Sequence, residues 1–210
     1  RDSKLGYENL KDNYYDFGFT KPVSINFPSS AFGYMDIKEN ALDKEIASLG
    51  YGYGITMSPF QIASAYSVFA NDGIYKDFKL LKNQDTFSRK IISSKSANFI
   101  LDALEKVIRD GTGKSANLKG FSVGGKTGTV HQIKKGLGYA EDIYRASFIG
   151  ITPLNKKSLT IFVSVDDPGL NAYSGGAVAA PIFANIAQSS LNHLGYFEDE
   201  WITKNSQNKF

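Results

Sequence analysis

Lys126, Thr127, Gly128 and Thr129 form the run of this 210-residue chain whose residue types are best suited to chemistry. On a β-strand side chains alternate, so Thr127 and Thr129 would share one side, and two hydroxyls at that spacing can hold a carboxylate. The Lys126 ammonium would supply fixed positive charge beside a nucleophilic serine. Gly128 has no side chain, which lets a substrate backbone lie flat against the strand. The Thr129 backbone N–H can donate to the oxyanion that forms when an acyl carbon is attacked. Taken alone, three common residues in a row recur by chance, and a solvated lysine in a β-turn accounts for them as well.

A second reading competes for the same lysine. Gly120-x-x-x-x-Gly125-Lys126-Thr127 satisfies the P-loop formula for nucleotide phosphates, and the run Leu159–Val165 leading into Asp166 and Asp167 resembles the metal-binding strand that accompanies it. Its context opposes it. A P-loop needs a buried strand before the first glycine and a helix beginning at the Lys-Thr pair, so that helix N–H groups face the phosphates. Before Gly120 the stretch 114–119 is polar and broken, and after Thr127 come Gly128, Thr129 and Val130, which start helices poorly and suit strands. Asp166 and Asp167 are expected to end a strand and cap a turn rather than bind metal.

The elements that must carry these residues are legible in outline. Leu10, Tyr14, Tyr15 and Phe17 could line a short helix stopped by Gly18, and Pro22, Pro28 and Gly33 then enforce an irregular run. Ser58 is a good N-cap with Pro59 at the first helical position. Ile62, Ala63, Tyr66, Phe69 and Ala70 follow at helical spacing until Asn71-Asp72-Gly73. A second amphipathic helix starts near Ser94, with Ala97, Ile100, Leu101, Leu104, Val107 and Ile108 on one face, and ends at Gly111. Residues 121–130 read as a strand bent by glycines. Residues 146–151 and 159–165 are β-branched and aromatic runs parted by the turn 153–156. A last helix follows Pro181 and should bury Ile182, Phe183, Ile186, Ala187 and Leu194. Helices, three strands in an antiparallel meander, then a helix predict an α+β fold.

Composition narrows the function classes. With 42% hydrophobic residues, 15 Phe and 12 Tyr, the chain can bury a core and is not of the disordered type. Its 24 basic and 21 acidic side chains leave a net charge of +3, too little to point to nucleic acid or an anionic membrane as partner. The absence of cysteine excludes disulfides, thiol chemistry and Cys-based metal sites, and two histidines make multi-histidine sites an unpromising reading. No metal or cofactor is expected. The stretches 46–70 and 168–197 lack Asp, Glu, Lys and Arg, yet glycines and prolines interrupt both, so they read as core with tight turns rather than bilayer helices. The chain opens Arg1-Asp2-Ser3-Lys4, with no basic and apolar leader, and is expected to be a piece of something longer.

The decisive signal is order. Ser48-Leu-Gly-Tyr-Gly-Tyr-Gly-Ile-Thr-Met-Ser-Pro-Phe-Gln-Ile-Ala-Ser-Ala-Tyr-Ser-Val-Phe-Ala-Asn-Asp-Gly73 closely resembles the segment that precedes Lys-Thr-Gly in class B penicillin-binding proteins. Gly111-Thr-Gly113, Val123-Gly-Gly-Lys-Thr-Gly-Thr-Val130, Ala146-Ser-Phe-Ile-Gly-Ile-Thr-Pro153, Val163-Ser-Val-Asp-Asp-Pro168 and Tyr173-Ser-Gly-Gly-Ala-Val-Ala-Ala-Pro-Ile-Phe183 follow in the family's sequence. The Gly-Tyr-Gly ahead of Thr56 is more similar to the division-specific type, penicillin-binding protein 3, than to the elongation type. Together the matches cover about residues 14–195.

The resemblance implies a fold and a role. The fold is an antiparallel sheet packed between helices, with the site at the inner edge strand that carries Lys-Thr-Gly, represented here only by its C-terminal strands and helices. The role is D,D-transpeptidation of peptidoglycan during septal wall synthesis. In the family a serine attacks the penultimate carbonyl of a D-Ala-D-Ala stem peptide, and the acyl-enzyme passes its acyl group to an amine of a neighbouring stem. The expected partners are peptidoglycan stem peptides, β-lactam antibiotics that acylate the same serine, and division-complex membrane proteins reached through an N-terminal part. The expected location is the extracytoplasmic face of the membrane. Lys126 takes the catalytic place, Thr127, Gly128 and Thr129 bind substrate, and His131, Tyr139, Tyr144 and the loop 169–176 are candidate cleft walls. For the three side chains, a strand-end histidine and sheet packing are the plainer alternatives.

One departure is serious. The family's Ser-x-x-Lys, which bears the nucleophile, and its Ser-x-Asn precede this region and have no credible counterpart here. Ser206-Gln-Asn-Lys209 fits the first formula but lies in a polar tail, and the Ser-x-Asn matches at Ser24, Ser96, Ser115, Ser190 and Ser206 are in the wrong order or context. The chain is therefore expected to be inactive alone, with residues 1–40 a lead-in, 41–197 the C-terminal part of a transpeptidase domain and 198–210 a tail. Rival readings are a non-catalytic scaffold of the same fold, a penicillin-recognising serine hydrolase or sensor, and the P-loop protein.

Overall fold

Ser58 and Pro59 start helix α3 (Pro59–Ala70) as their chemistry predicts. Ser58 is extended, its hydroxyl accepts the Gln61 N–H, and its own N–H donates to Gln61 Oε1 at 2.9 Å, closing a reciprocal capping box. The computed structural model describes residues 3–19, 31, 33–35, 43–134, 138–154, 157–169 and 172–196. They divide into two units, residues 1–94 and 95–210.

In the first unit, helices α1 (Ser3–Asp16), α2 (Asp43–Leu49) and α3 (Pro59–Ala70) are joined by a short antiparallel pair, β1 (Ile74–Lys76) and β2 (Ser88–Lys90). Gly18, at φ +82°, ends α1 as expected. The buried face of α3 differs from the apolar stripe that its sequence suggests. Gln61, Ser64, Ala65 and Val68 are buried, while Ile62, Ala63, Tyr66, Phe69 and Ala70 are half-buried. Gln61 explains the shift. Its Oε1 accepts the Gly33 and Ser58 N–H groups at 2.7 and 2.9 Å, and its Nε2 donates to the Gly18 and Phe19 carbonyls at 3.2 and 2.8 Å. A fully bonded amide can enter a core that a periodicity argument reserves for apolar residues. Tyr66 and Phe69 pack instead as rings, with Phe17 5.8 Å from Phe69.

The second unit opens on α4 (Ser94–Arg109), whose Ala97, Leu101, Leu104 and Ile108 are buried at the spacing read from sequence. A short 3-10 turn, Lys114–Ala116, leads to three antiparallel strands in the order β3-β4-β5. They span Gly124–Lys134, Gly138–Thr152 and Leu159–Asp166, so the meander is as expected, with β3 and β4 longer than their apolar cores. Helix α5 (Ala179–His193) covers one face. Phe183 lies 4.9 Å from Phe148, and a Cβ on Gly150 would come within 2.5 Å of the Phe183 ring. The core there comprises Val123, Phe148, Val163, Ala179, Ala180, Phe183, Ala187 and Leu191 with their neighbours.

Two expectations about α5 need correcting. It begins at Ala179, ahead of Pro181, and Ile182, Ile186 and Leu194 are 39%, 43% and 54% exposed. Ala180, Ala187 and Leu191 take the inward positions with Phe183, since alanines let the helix backbone approach the sheet closely. Among the described residues no helix is long and apolar enough to cross a membrane. The tail with Ser206 and Lys209 lies outside the described residues, as do Pro22 and Pro28.

Candidate active site

The residues singled out by sequence sit on β3, an outer strand of the described sheet. Gly124 pairs with Ile151, Lys126 with Ile149, Thr127 with Phe148, Gly128 with Ser147, Thr129 with Ala146 and His131 with Tyr144. Alternation therefore places Thr127, Thr129 and His131 on the α5 side with Phe148, and Lys126 and Gly128 on the other. Lys126 is exposed, and its Nζ donates to the Thr127 carbonyl at 2.7 Å, which holds the ammonium along its own strand. The strand runs on to Lys134, with a register shift between His131 and Ile133, so no helix begins at Lys126-Thr127 and no phosphate cradle of P-loop type forms. Gly120, the first glycine of that formula, lies in a turn at φ +83° rather than after a buried strand.

Both threonine hydroxyls are held from outside the strand. Thr112, just beyond the end of α4, places its Oγ1 2.8 Å from Thr127 Oγ1. The Gly175 N–H donates to Thr129 Oγ1 at 3.1 Å. Gly175 is pressed against the sheet, where a Cβ would lie 2.2 Å from the Ser147 carbonyl oxygen and 2.6 Å from that of Gly128. Gly128 has a local reason of its own, since a Cβ there would meet Ser147 Oγ at 2.4 Å. The segment around Gly175 thus lies directly on the motif strand.

An aromatic ladder runs beside it. The His131 and Tyr144 rings are 4.5 Å apart, and Tyr173 stacks on Tyr144 at 4.5 Å with 28° between planes. The structure thus brings together His131, Tyr144 and, through Tyr173, the loop before α5, all of which sequence proposed as site walls. Tyr139 pairs through its backbone with Ile133 farther along the β3–β4 hairpin. Asp166 ends β5 and forms a two-point ion pair with Arg145 across the strands, with a 3.1 Å contact from Nη2 to Oδ2. The Arg145 hydrogen bond holds the Asp166 carboxyl below the usual carboxylate range. Asp167 follows at φ +48°, just past the strand end, and its N–H donates to the Tyr144 carbonyl at 2.9 Å. Among the described residues no cluster of three or more His, Asp or Glu could hold a metal ion.

Sequence reasoning does not single out Thr112 and Ser147, and names Tyr173 and Gly175 only within the loop 169–176. The ordered Gly111-Thr-Gly113 and Tyr173-Ser-Gly-Gly176 were visible, but the contacts that make them part of the site join residues 15 and 46 positions apart. What the arrangement offers is a strand edge with one ammonium and two hydroxyl groups whose oxygens already have partners. Such a set suits an extended peptide that ends in a carboxylate.

Comparison with known proteins bears on this geometry. Residues 2–188 match the family model described as the penicillin binding protein transpeptidase domain. The chain is 36% identical over 205 residues to stage V sporulation protein D of Bacillus subtilis (strain 168), a match covering 91% of this chain and 32% of that protein. It is 36% identical over 193 residues to the probable peptidoglycan D,D-transpeptidase PbpC of Pseudomonas aeruginosa, covering 91% of this chain and 34% of the other. The solved transpeptidase domain of Burkholderia pseudomallei penicillin-binding protein 3 superposes with a TM-score of 0.81 at 32% identity, covering 91% of this chain and 60% of that one. The chain thus spans about a third of the length of these two relatives.

Proposed function

The chain belongs to the penicillin-binding protein transpeptidase domain family, and from that premise we propose that its parent protein is a class B peptidoglycan D,D-transpeptidase of the division or sporulation type. The observation that carries this reading is the edge strand β3, with Lys126-Thr127-Gly128-Thr129 in register beside β4 and both threonine hydroxyls held from outside the strand.

The substrate is a stem peptide ending in D-Ala-D-Ala. Thr127 and Thr129 donate to its terminal carboxylate, and Lys126 adds positive charge beside the nucleophile. The serine oxygen bonds to the penultimate carbonyl carbon while the bond to the terminal D-Ala nitrogen breaks. The serine proton passes to that leaving amine. The Thr129 N–H stabilises the oxyanion in between. An amine of a neighbouring stem then takes the acyl group and frees the serine. The serine and its lysine are supplied by sequence outside these 210 residues, so this chain alone does not turn over. His131, Tyr144 and Tyr173 wall the cleft, and Tyr139 extends that hairpin. β-Lactams acylate the same serine, at the extracytoplasmic face of the membrane, within a division assembly.

Labelling with a fluorescent penicillin tests this. The full-length protein should take up one covalent label, slow to hydrolyse, and the 210-residue chain none. A label on the 210-residue chain would show a nucleophile within it. No label on the full-length protein would favour a scaffold, and rapid loss of the label a hydrolase.

A further inference from the structure

We propose that Thr112, which lies outside the Lys126–Thr129 strand, is a positioning residue that sets the Thr127 hydroxyl as a proton donor toward the substrate carboxylate. The inference rests on the carboxylate-binding role given to Thr127 and Thr129 above. Thr112 is held in place by its neighbours. The Gly111 and Gly113 N–H groups both donate to the Val107 carbonyl, at 3.2 and 3.0 Å, so the end of α4 closes around the residue between them. From the other side Gly176 approaches so closely that a Cβ there would lie 2.3 Å from the Thr112 carbonyl oxygen and 3.6 Å from Thr127 Cγ2. The 2.8 Å hydroxyl pair is therefore part of a built corner.

Proton counting assigns its direction. Each hydroxyl has one proton and two lone pairs, and in a bonded pair one member donates. A carboxylate is acceptor-only, so a hydroxyl that faces it must donate. Thr127 can do so while remaining bonded to its partner only if Thr112 supplies the proton between them. Thr129 is set in the same sense, because the Gly175 N–H occupies its oxygen and leaves its proton free. Two relays, Thr112 to Thr127 and Gly175 to Thr129, thus set both hydroxyls as donors. A ligand with an esterified or amidated terminus has no negative charge to draw on that polarity. Thr112 consequently helps select a free carboxylate without touching it.

The test uses the full-length protein and its second-order acylation constants for benzylpenicillin and for benzylpenicillin methyl ester. Thr112→Val, isosteric but lacking the hydroxyl, should lower the constant for the free acid about three- to tenfold, the worth of one neutral hydrogen bond. It should leave the ester within about twofold, because a hydrogen bond to a neutral ester oxygen is weaker than one to a carboxylate. Thr112→Ser should keep the wild-type preference, and Thr112→Ala should repeat the valine result with a smaller side chain. Equal losses for acid and ester would make Thr112 merely structural and overturn the proposal. So would an unchanged preference in Thr112→Val, or a serine variant that behaves like valine. A wild-type protein with no preference for the free acid would refute the carboxylate role of Thr127 and Thr129 itself, and this inference with it.

Discussion

Adding one methyl group at position 175 should disable the site while leaving every residue of the Lys126–Thr129 motif unchanged. In Gly175→Ala the new Cβ would start 2.2 Å from the Ser147 carbonyl oxygen, 2.6 Å from the Gly128 oxygen and 3.1 Å from the Gly128 nitrogen. All three are backbone atoms of paired strands, so no flexible side chain can give way. Ordinary non-bonded separation is about 3.5 Å, so the loop must retreat by about 1.3 Å. That retreat carries the 3.1 Å bond from the Gly175 N–H to Thr129 Oγ1 beyond useful length. Overpacking of this kind costs roughly 1–3 kcal/mol of stability. The displaced donor and loop should slow acylation by about ten- to a hundredfold, the scale of a 1 Å misplacement at a reacting centre. Two assays on the full-length protein read the effects separately: urea unfolding for stability, and a time course of fluorescent penicillin labelling for the site. A Gly175→Ala protein that labelled within twofold of wild type and unfolded at the same urea midpoint would refute the packing described here.

Other expectations follow from the same structure. Gln61→Leu removes the side-chain hydrogen bonds to Gly33, Ser58, Gly18 and Phe19 and leaves the buried Gly33 and Ser58 N–H groups unpaired, at about 1–3 kcal/mol each, so the urea midpoint should fall sharply. Ser64 Oγ is buried with no hydrogen-bond partner among the described residues, so Ser64→Ala should match or exceed wild-type stability in the same assay. Asp166 titrates below the usual carboxylate range because of Arg145, so that pair stabilises above the unfolded carboxylate pKa and ceases to as pH falls through the lowered value. Thermal melts of Arg145→Gln should therefore show a small deficit at pH 7 that closes as pH falls through the lowered Asp166 pKa.

Local rules read some parts of this molecule from sequence and missed others for identifiable reasons. The Ser58-Pro59 start of α3, the buried stripe of α4 and the three-strand meander depend on neighbours one to seven residues apart, which periodicity and capping chemistry capture. The inward face of α3 was misjudged because a glutamine with four partners behaves as a core residue, and its partners come from three separate segments. The inward face of α5 was misjudged because Ala180 and Ala187 bury more completely than Ile182 and Ile186, a matter of approach distance rather than hydrophobicity. In the site, the period-two placement of Thr127 and Thr129 was visible. Their outside partners, Thr112 and the Gly175 N–H, were not, since one comes from the end of a helix and the other from a loop 46 residues away. The sequence suggests clearance for substrate at Gly128, and within the chain a Cβ there would meet Ser147 Oγ.

The central claim is that Lys126 is the lysine that works beside the acylated serine. The most direct measurement is the second-order acylation constant of the full-length protein for a fluorescent penicillin, compared between wild type and Lys126→Ala. Lys126 is exposed and, among the described residues, its Nζ reaches only the Thr127 carbonyl, so the substitution should leave the unfolding midpoint unchanged. Acylation should fall by about a hundredfold or more, the scale of losing one positioned catalytic group. Labelling at the wild-type rate by a folded Lys126→Ala protein would contradict the account.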